Sequence, residues 1–139
     1  MEKWKPIKEG QFCDDHYTVK IEHSEKNGLN IVLKGVNSKY IVSFGYIASL
    51  RMLERDNIQI ELYSGDSFEK HKQKNFDEII YVIEKGLYKD EIIKIASGYI
   101  GENDVKHYVV MSSNYCIEVI AMWEPVINYV ISEDGEDSI

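Results

Sequence analysis

The first clear pattern in the chain is an alternation of apolar and polar residues with a period of two, which is typical of a half-buried β-strand. This alternation runs from Tyr17 to His23, and a second strand-like stretch covers 29–34. Between them, Asn27-Gly28 supplies residues that readily adopt the positive φ of a tight hairpin turn. The pattern predicts two antiparallel strands joined by that turn.

A longer apolar stretch covers 40–50 and carries apolar residues on both of its faces. A strand of this kind is expected at the centre of a sheet, covered on both sides. Gly45 in its middle predicts a bend or a bulge. A fourth alternating stretch covers 58–63, and the short connections favour antiparallel neighbours throughout.

The middle of the chain changes its pattern. A polar, lysine-rich link covers 68–75 and is compatible with a short helix or a loop. The segment 76–84 fits either an apolar helix face or a β-branched strand, and we favour a strand that ends at Lys85-Gly86. From 88 to 97 the apolar residues recur at helical spacing, and Gly98 is well placed to end that helix.

The last third predicts a strand, a short helix and a final strand. The strands cover 107–111 and 126–131. Residues 112–114, which are Ser-Ser-Asn, are good N-cap residues for a helix over 115–122. Pro125 ends that helix, because the residue before a proline is disfavoured in the helical region.

These elements predict an α+β fold with a mostly antiparallel sheet of five to seven strands and two or three short helices. Its length of 139 residues and its composition, 44% hydrophobic and 29% charged, fit a single globular domain over 1–139. Residues 132–139 are expected to form a flexible acidic tail.

No apolar signal segment begins the sequence, and no apolar run approaches the ~20 residues of a membrane helix. The two cysteines, Cys13 and Cys116, are far apart in the sequence. We therefore expect a cytoplasmic protein with both thiols free and no membrane association.

Charge is distributed unevenly along the chain. The net charge is −8, yet the sequence from His107 to its end contains no Lys or Arg. An acidic surface suits a basic protein partner and disfavours nucleic acid. The one basic run, 70–74, is too short to reverse that expectation. Six acids produce the imbalance: Glu118, Glu124, Glu133, Asp134, Glu136 and Asp137.

These acids fall into two groups. The four at 133–137 belong to the expected solvated tail. Glu118 and Glu124 flank Trp123 on predicted ordered elements, and an exposed aromatic beside carboxylates is a candidate hot spot for a basic surface. The alternative is that Trp123 packs into the core. All seven residues are candidate partner contacts.

Histidines offer the alternative chemistry. His23 lies on the apolar face of the first predicted strand, as a structural imidazole or as a general base. His107 either faces water at a strand end or pairs with an acid and titrates near neutral pH. With tyrosines as a lining, these two histidines define a candidate pocket between sheet and helices.

Two further clusters bear on metals and nucleophiles. The run from Cys13 to His16 contains ligand-type atoms, but neighbouring side chains of an extended segment point to opposite faces and cannot converge on one ion. Cys116, near a predicted helix start, is either an inert core thiol or a nucleophile, and its apolar neighbours favour the core. The sequence predicts neither a metal nor a cofactor site, because no cofactor motif is present.

The C-terminal block, with His107-Tyr-Val-Val110, Asn114-Tyr-Cys-Ile-Glu-Val-Ile120 and Glu124-Pro125, resembles the ending of small Gram-positive bacterial proteins. Some of these resemble immunity proteins of polymorphic or contact-dependent toxin systems. The resemblance implies a non-enzymatic protein that binds and neutralises a basic toxin. The alternatives are a small enzyme or ligand-binding domain that uses the His pocket, and a subunit of a larger assembly. The sequence leaves the oligomeric state open.

Overall fold

The computed structural model describes residues 3–55 and 78–131. Within these ranges the chain forms nine strands and one helix: β1 (Lys3–Ile7), β2 (Thr18–Ser24), β3 (Gly28–Lys34), β4 (Lys39–Gly45), β5 (Ile47–Glu54), β6 (Ile80–Glu84), α1 (Leu87–Ala96), β7 (Lys106–Met111), β8 (Tyr115–Ala121) and β9 (Val126–Tyr129). The predictions for 58–63, 68–75 and 132–139 lie outside the described residues.

The strands form two antiparallel sheets. One has the order β1-β6-β7-β8-β5 and the other the order β2-β3-β4-β9. The prediction of a mostly antiparallel α+β fold is confirmed. The described residues contain nine strands instead of five to seven, and one helix instead of two or three.

A hydrophobic core fills the space between the two sheets. Leu29, Ile31 and Val42 of the second sheet are fully buried against Ile117 and other residues of the first. Across the same interface, the aromatic rings of Phe44 and Tyr108 lie 5.5 Å apart. Burial of these apolar side chains supplies the main stabilisation of the sandwich.

At Gly45 the chain passes from one sheet to the other. The predicted single strand over 40–50 is therefore wrong, although the predicted bend at Gly45 is confirmed. Gly45 has a φ of +71°, a conformation that favours glycine. The turn changes which positions face the core. Tyr40 and Phe44, before the turn, and Ile47, after it, all pack into the core, so the spacing of core residues changes at the turn. For this reason the sequence looked apolar on both faces.

The predicted helix over 115–122 is wrong, because these residues form β8 between β7 and β5. Six of the seven residues of β8 are buried, since the other sheet covers one face and α1 with its neighbours covers the other face at Ile120. A strand that is covered on both faces shows no alternation. The predicted N-cap at 112–114 is also wrong: Ser112 N donates to Tyr115 O at 2.9 Å and closes a β-hairpin turn.

Three other predictions are confirmed. Residues 80–84 form a strand, 107–111 lie within β7, and 88–97 correspond closely to α1, which ends before Gly98. The helix packs on the outer face of the five-stranded sheet, where Tyr88 and Ile120 are buried together. The final strand is two residues shorter than predicted.

Candidate functional site

Glu118 lies inside the protein, and its side chain has no exposed area. The prediction that it contacts a partner at the surface is wrong. It followed from the helix assignment, which placed Glu118 on a polar face. In the β-strand, Cys116, Glu118 and Ile120 share one face, and α1 with its neighbours covers that face around Ile120.

Both carboxylate oxygens of Glu118 are hydrogen-bonded. His107 Nε2 lies 2.8 Å from Oε1, and Arg51 Nε lies 2.5 Å from Oε2. Burial raises the pKa of Glu118, but the hydrogen bonds from His107 and Arg51 outweigh it and leave the pKa below its ordinary value. An ionised carboxylate only accepts hydrogen bonds, so His107 donates through Nε2–H.

His107 is only 1% exposed, so the prediction that it faces water at a strand end is wrong. Its alternative, pairing with an acid elsewhere in the chain, is what the structure shows. The sequence could not identify Glu118 as that acid because the helix assignment for 115–122 gave no strand pairing between the two segments. In the sheet, β7 and β8 are neighbours and both side chains lie on the outer face.

Tyr88 connects this pair to the helix. Its ring lies 4.2 Å from Arg51 Cζ and 5.4 Å from the His107 ring, and its hydroxyl is hydrogen-bonded to Ser49 Oγ. Burial raises the pKa of Tyr88, which keeps its hydroxyl protonated. We name Ser49, Arg51, Tyr88, His107 and Glu118 the polar cluster. It joins β5, β7, β8 and α1 through directional contacts.

Gly86 covers the remaining nitrogen of His107. Within the described residues Nδ1 has no hydrogen-bond partner and no solvent access. A Cβ on residue 86 would lie 2.4 Å from Nδ1, so only glycine allows the chain to pass at this point. A neutral imidazole protonated at Nε2 leaves Nδ1 as an acceptor, which is a smaller loss than a buried, unpaired N–H. In this conformation a substrate cannot reach Nδ1.

An open cavity of about 380 Å³ lies at the start of α1, and His107 forms part of its wall. His23 does not contribute to that wall. It lies near the end of β2 on the same face as Val19 and Ile21, as predicted, but it is exposed. The predicted pocket between sheet and helix therefore contains one of its two histidines.

A group of large apolar side chains is exposed at the β4–β5 corner. Trp123 is 56% exposed and rests near Gly45, where an added Cβ would lie 3.7 Å from its Cε3 atom. Of the two alternatives for Trp123, the structure shows the exposed one. Neighbouring strand pairs, Ile47 with Ala121 and Ser43 with Val126, bring the two connections together. We name the exposed set the aromatic patch: Tyr46, Met122, Trp123 and Val126.

Glu124 lies beside this patch, and its side chain is 61% exposed. Its carboxylate is 3.6 Å from Lys8 Nζ, a surface ion pair of small energetic value. The other predicted acidic contacts, Glu133, Asp134, Glu136 and Asp137, lie outside the described residues. Of the six acids that motivated a basic partner, one is internal and one is paired at the surface.

The run from Cys13 to His16 forms a structural turn. The Asp15 carboxylate accepts hydrogen bonds from the backbone of Val36 and Asn37 at 2.9 Å and from Ser38 Oγ at 2.8 Å. These bonds lower the pKa of Asp15, with Asn37 making the largest contribution. The carboxylate therefore ties the β3–β4 hairpin to the segment before β2. Within residues 3–55 and 78–131, no group of three His, Cys, Asp or Glu residues is arranged to hold a metal ion.

Both cysteines are free, as predicted. Cys116 is buried in β8, which agrees with the core-thiol alternative. Cys13 is exposed, and its sulfur accepts a hydrogen bond from the Tyr40 hydroxyl at 3.1 Å.

The described part of the chain contains no helix long and apolar enough to cross a membrane. Comparison with known proteins gives no match: neither a protein-family model, nor a curated protein, nor a solved structure is significantly similar to this chain.

Proposed function

We propose that this protein is a non-enzymatic binding protein that docks a basic protein partner on the aromatic patch. The observation that carries the proposal is the exposure of four large apolar side chains: Tyr46, Met122 and Trp123 on two adjoining connections, and Val126 at the start of β9. Contiguous exposed apolar residues commonly mark interaction sites. Trp and Tyr are the side chains most enriched among binding hot spots, and Trp123 and Tyr46 supply one of each.

Charge supports a basic partner. The net charge of −8 and the four acids at 133–137 attract a positive surface over distance. With Glu118 internal and Glu124 paired to Lys8, this attraction acts mainly on encounter. The aromatic patch supplies the short-range affinity. A basic toxin that acts on nucleic acid is a partner of this chemistry, and neutralising it is the role implied by the resemblance to immunity proteins.

Two exposed aromatics provide a matched test. Affinity capture from the native organism uses the wild-type chain, the Trp123→Ala variant and the Tyr99→Ala variant. Tyr99 is 93% exposed and lies outside the patch. The captured protein is then purified, and its dissociation constant is measured for all three chains. We expect Trp123→Ala to weaken binding about 30-fold, the loss of a hot spot worth ~2 kcal/mol, and Tyr99→Ala to leave it unchanged.

The contribution of charge to binding is measured separately, through the association rate. A truncation after residue 132 is expected to lower the association rate, and added salt is expected to lower it further. Equal binding by Trp123→Ala and Tyr99→Ala, or an association rate insensitive to salt, contradicts the proposal. A homodimer that Trp123→Ala dissociates also contradicts it, because the patch then binds a second copy of the chain.

The alternative, a small enzyme with a histidine base, is favoured by one observation: the cavity wall contains His107 with a carboxylate partner. The cover of Nδ1 by Gly86 argues against it. This alternative requires Gly86 to move away from the imidazole before reaction. Hydrogen exchange at the start of α1 measures such opening, and exchange no faster than elsewhere in the helix opposes an enzymatic role.

A further inference from the structure

β9 is an edge strand of the four-stranded sheet, because within the described part of the chain it pairs with β4 alone. Val130 N donates to Lys39 O at 2.8 Å, which fixes the hydrogen-bonding alternation of this pair of strands. In an antiparallel pair, residues that bond the neighbouring strand alternate with residues whose N–H and C=O groups point the other way. Counting back from Val130, Ile127 and Tyr129 therefore direct their backbone groups to the open edge of the sheet.

β9 also lacks the features that protect exposed strand edges from pairing with other chains. Those features include charged side chains, prolines and bulges. The other edge strands of the two described sheets contain charged residues or proline: Lys3, Lys5 and Pro6 in β1, Lys20 and Glu22 in β2, and Arg51 and Glu54 in β5. Residues 126–131 contain neither, and Val126, Tyr129 and Ile131 are each more than half exposed. An exposed apolar edge of this kind is a template for an additional strand.

The charges around β9 favour a basic strand over a second copy of the chain. Residues 122–139 contain five acids and no Lys or Arg, and Glu124 precedes β9 whereas the other four follow it. β4 adds one base, Lys39. Symmetric antiparallel pairing of β9 with the β9 of a second copy would place the acids before one strand beside the acids after the other, and like charges repel. A segment that contains Lys or Arg is attracted instead.

Side chains at this edge indicate where the apolar residues of such a segment lie. Ile127 packs against the core, and the Tyr129 ring lies 5.1 Å from the ring of Tyr40, so both face the other sheet. Successive residues of a strand point to opposite faces. Alternate residues of an added strand would lie beside Ile127 and Tyr129, where apolar side chains fit. The residues between them would lie on the face of the exposed Asn128, where basic side chains fit.

We propose that a basic partner adds an extended segment of alternating apolar and basic residues to β9, as a fifth strand of this sheet. Main-chain hydrogen bonds to Ile127 and Tyr129 supply affinity in this mode of recognition, and side-chain contacts supply specificity. Val126 belongs both to β9 and to the aromatic patch, so one partner can contact both. This inference rests on the function proposed above and names the mode in which the partner binds.

A seven-residue peptide in which lysine and valine alternate is the probe. It is titrated into the isotope-labelled full chain, and binding is followed by NMR. We expect saturable shifts of the Ile127 and Tyr129 amide signals, with a dissociation constant of about 1 mM or below. Hydrogen exchange should slow at these two amides, because the added strand accepts hydrogen bonds from them. A peptide with glutamate in place of lysine is expected to bind about 10-fold more weakly.

The opposite edge of the same sheet provides a matched control. Gly35 N donates to Ser38 O, and the register from β4 through β3 to β2 then leaves the N–H of Ile21 pointing outward, as at Ile127. Both isoleucines also pack partly against the core. Proline is tolerated at such edge positions, because the N–H that it removes is not part of the ladder. We expect Ile127→Pro to weaken peptide binding about 10-fold, which is about 1.4 kcal/mol, and Ile21→Pro to leave it unchanged.

Thermal unfolding shows which variants are folded, and hydrogen exchange in the wild type decides the outcome if Ile127→Pro is unfolded. Absence of saturable binding, equal protection of the Ile21 and Ile127 amides, equal binding by the two folded variants, or equal binding of the glutamate peptide overturns the proposal. Ile127 and Tyr129 signals that shift with protein concentration alone also overturn it, because the edge then pairs with a second copy.

The peptide experiment requires no native partner, so its failure is separable from failure of the proposed function. If the peptide does not bind but Trp123→Ala weakens binding of the native partner, strand addition is wrong and the aromatic patch is upheld. If the peptide binds β9 but Trp123→Ala and Tyr99→Ala bind the native partner equally, the edge is upheld and the function proposed for the patch is wrong.

Discussion

Glu118 Oε1 and His107 Nε2 lie 2.8 Å apart, and neither side chain has any exposed area. The pair lies between the five-stranded sheet and α1, where Arg51 supplies the opposite charge. The interior charge is therefore fully compensated by two specific neighbours. A buried pair of this kind is easily damaged from either side, because removing one member leaves the other without compensation.

Replacing Glu118 with Gln is expected to lower the free energy of unfolding by about 3 kcal/mol, the lower end of the range for breaking a buried ion pair. The amide keeps the shape of the side chain, but it cannot balance the charge of Arg51. Urea unfolding measures the change. Glu124→Gln is the control, because that acid is exposed, and it is expected to change stability by no more than ~0.5 kcal/mol. Equal losses of stability for the two substitutions would show that the buried Glu118 contributes no more to stability than an exposed acid.

Acid should remove the contribution of Glu118. Its folded pKa is lower than in the unfolded chain, so the unfolded chain binds a proton more readily. The carboxylate therefore stabilises the fold above the ordinary glutamate pKa of ~4.3, and this stabilisation is lost as the pH falls through the folded value. The difference in unfolding free energy between wild type and Glu118→Gln should be constant near pH 7 and shrink below about pH 4. A constant difference down to pH 3 would contradict this linkage.

Much of the sheet could be predicted from alternation, because β2 and β4 each have one covered and one less covered face. The same rule failed for β8. This strand is buried on both faces, so its residues do not alternate, and Glu118 alone among them suggested the polar face of a helix. Long-range pairing was also hidden from the sequence. Nothing in the local pattern around His107 indicates that it meets Glu118, or that Glu118 also meets Arg51, since those contacts arise from strand order.

The lysine lining of the cavity at the start of α1 could not be predicted for the same reason. Lys5, Lys85 and Lys106 are far apart in the sequence and each looks like an ordinary surface residue. They converge because β1 pairs with β6 and β6 pairs with β7. Trp123 could be singled out by its flanking acids, but its exposure depends on the corner at Gly45, which the sequence indicated only as a bend.

Asp15→Asn is expected to loosen the β3–β4 hairpin and lower the melting temperature at pH 7. The amide replaces one of the two accepting oxygens with a donor that faces the N–H group of either Val36 or Asn37. Since the hydrogen bonds from Asn37, Ser38 and Val36 lower the pKa of Asp15, its stabilising effect is present above the ordinary Asp value of ~3.9 and lost as the pH falls below it. Calorimetry at pH 7 and at low pH measures both. The exposed neighbour Asp14 provides the control, and an equal drop for Asp14→Asn would remove the special role of Asp15.

Gly86→Ala tests the close contact between Gly86 and the imidazole of His107. The new Cβ would lie 2.4 Å from Nδ1, so either the imidazole or the start of α1 must move. We expect a loss of about 2 kcal/mol, as for other overpacked interiors, together with a changed His107 signal in NMR spectra. A double-mutant cycle with His107→Ala separates this clash from the ordinary effect of alanine before a helix: without the imidazole, the cost of Gly86→Ala should fall to a few tenths of a kcal/mol. Gly101→Ala is the matched control, because its added Cβ would meet only the flexible end of Asp104 at 3.2 Å. If Gly86→Ala lowers the free energy of unfolding equally in the wild-type and His107→Ala backgrounds, the backbone requires the glycine, and the contact with the imidazole does not explain it.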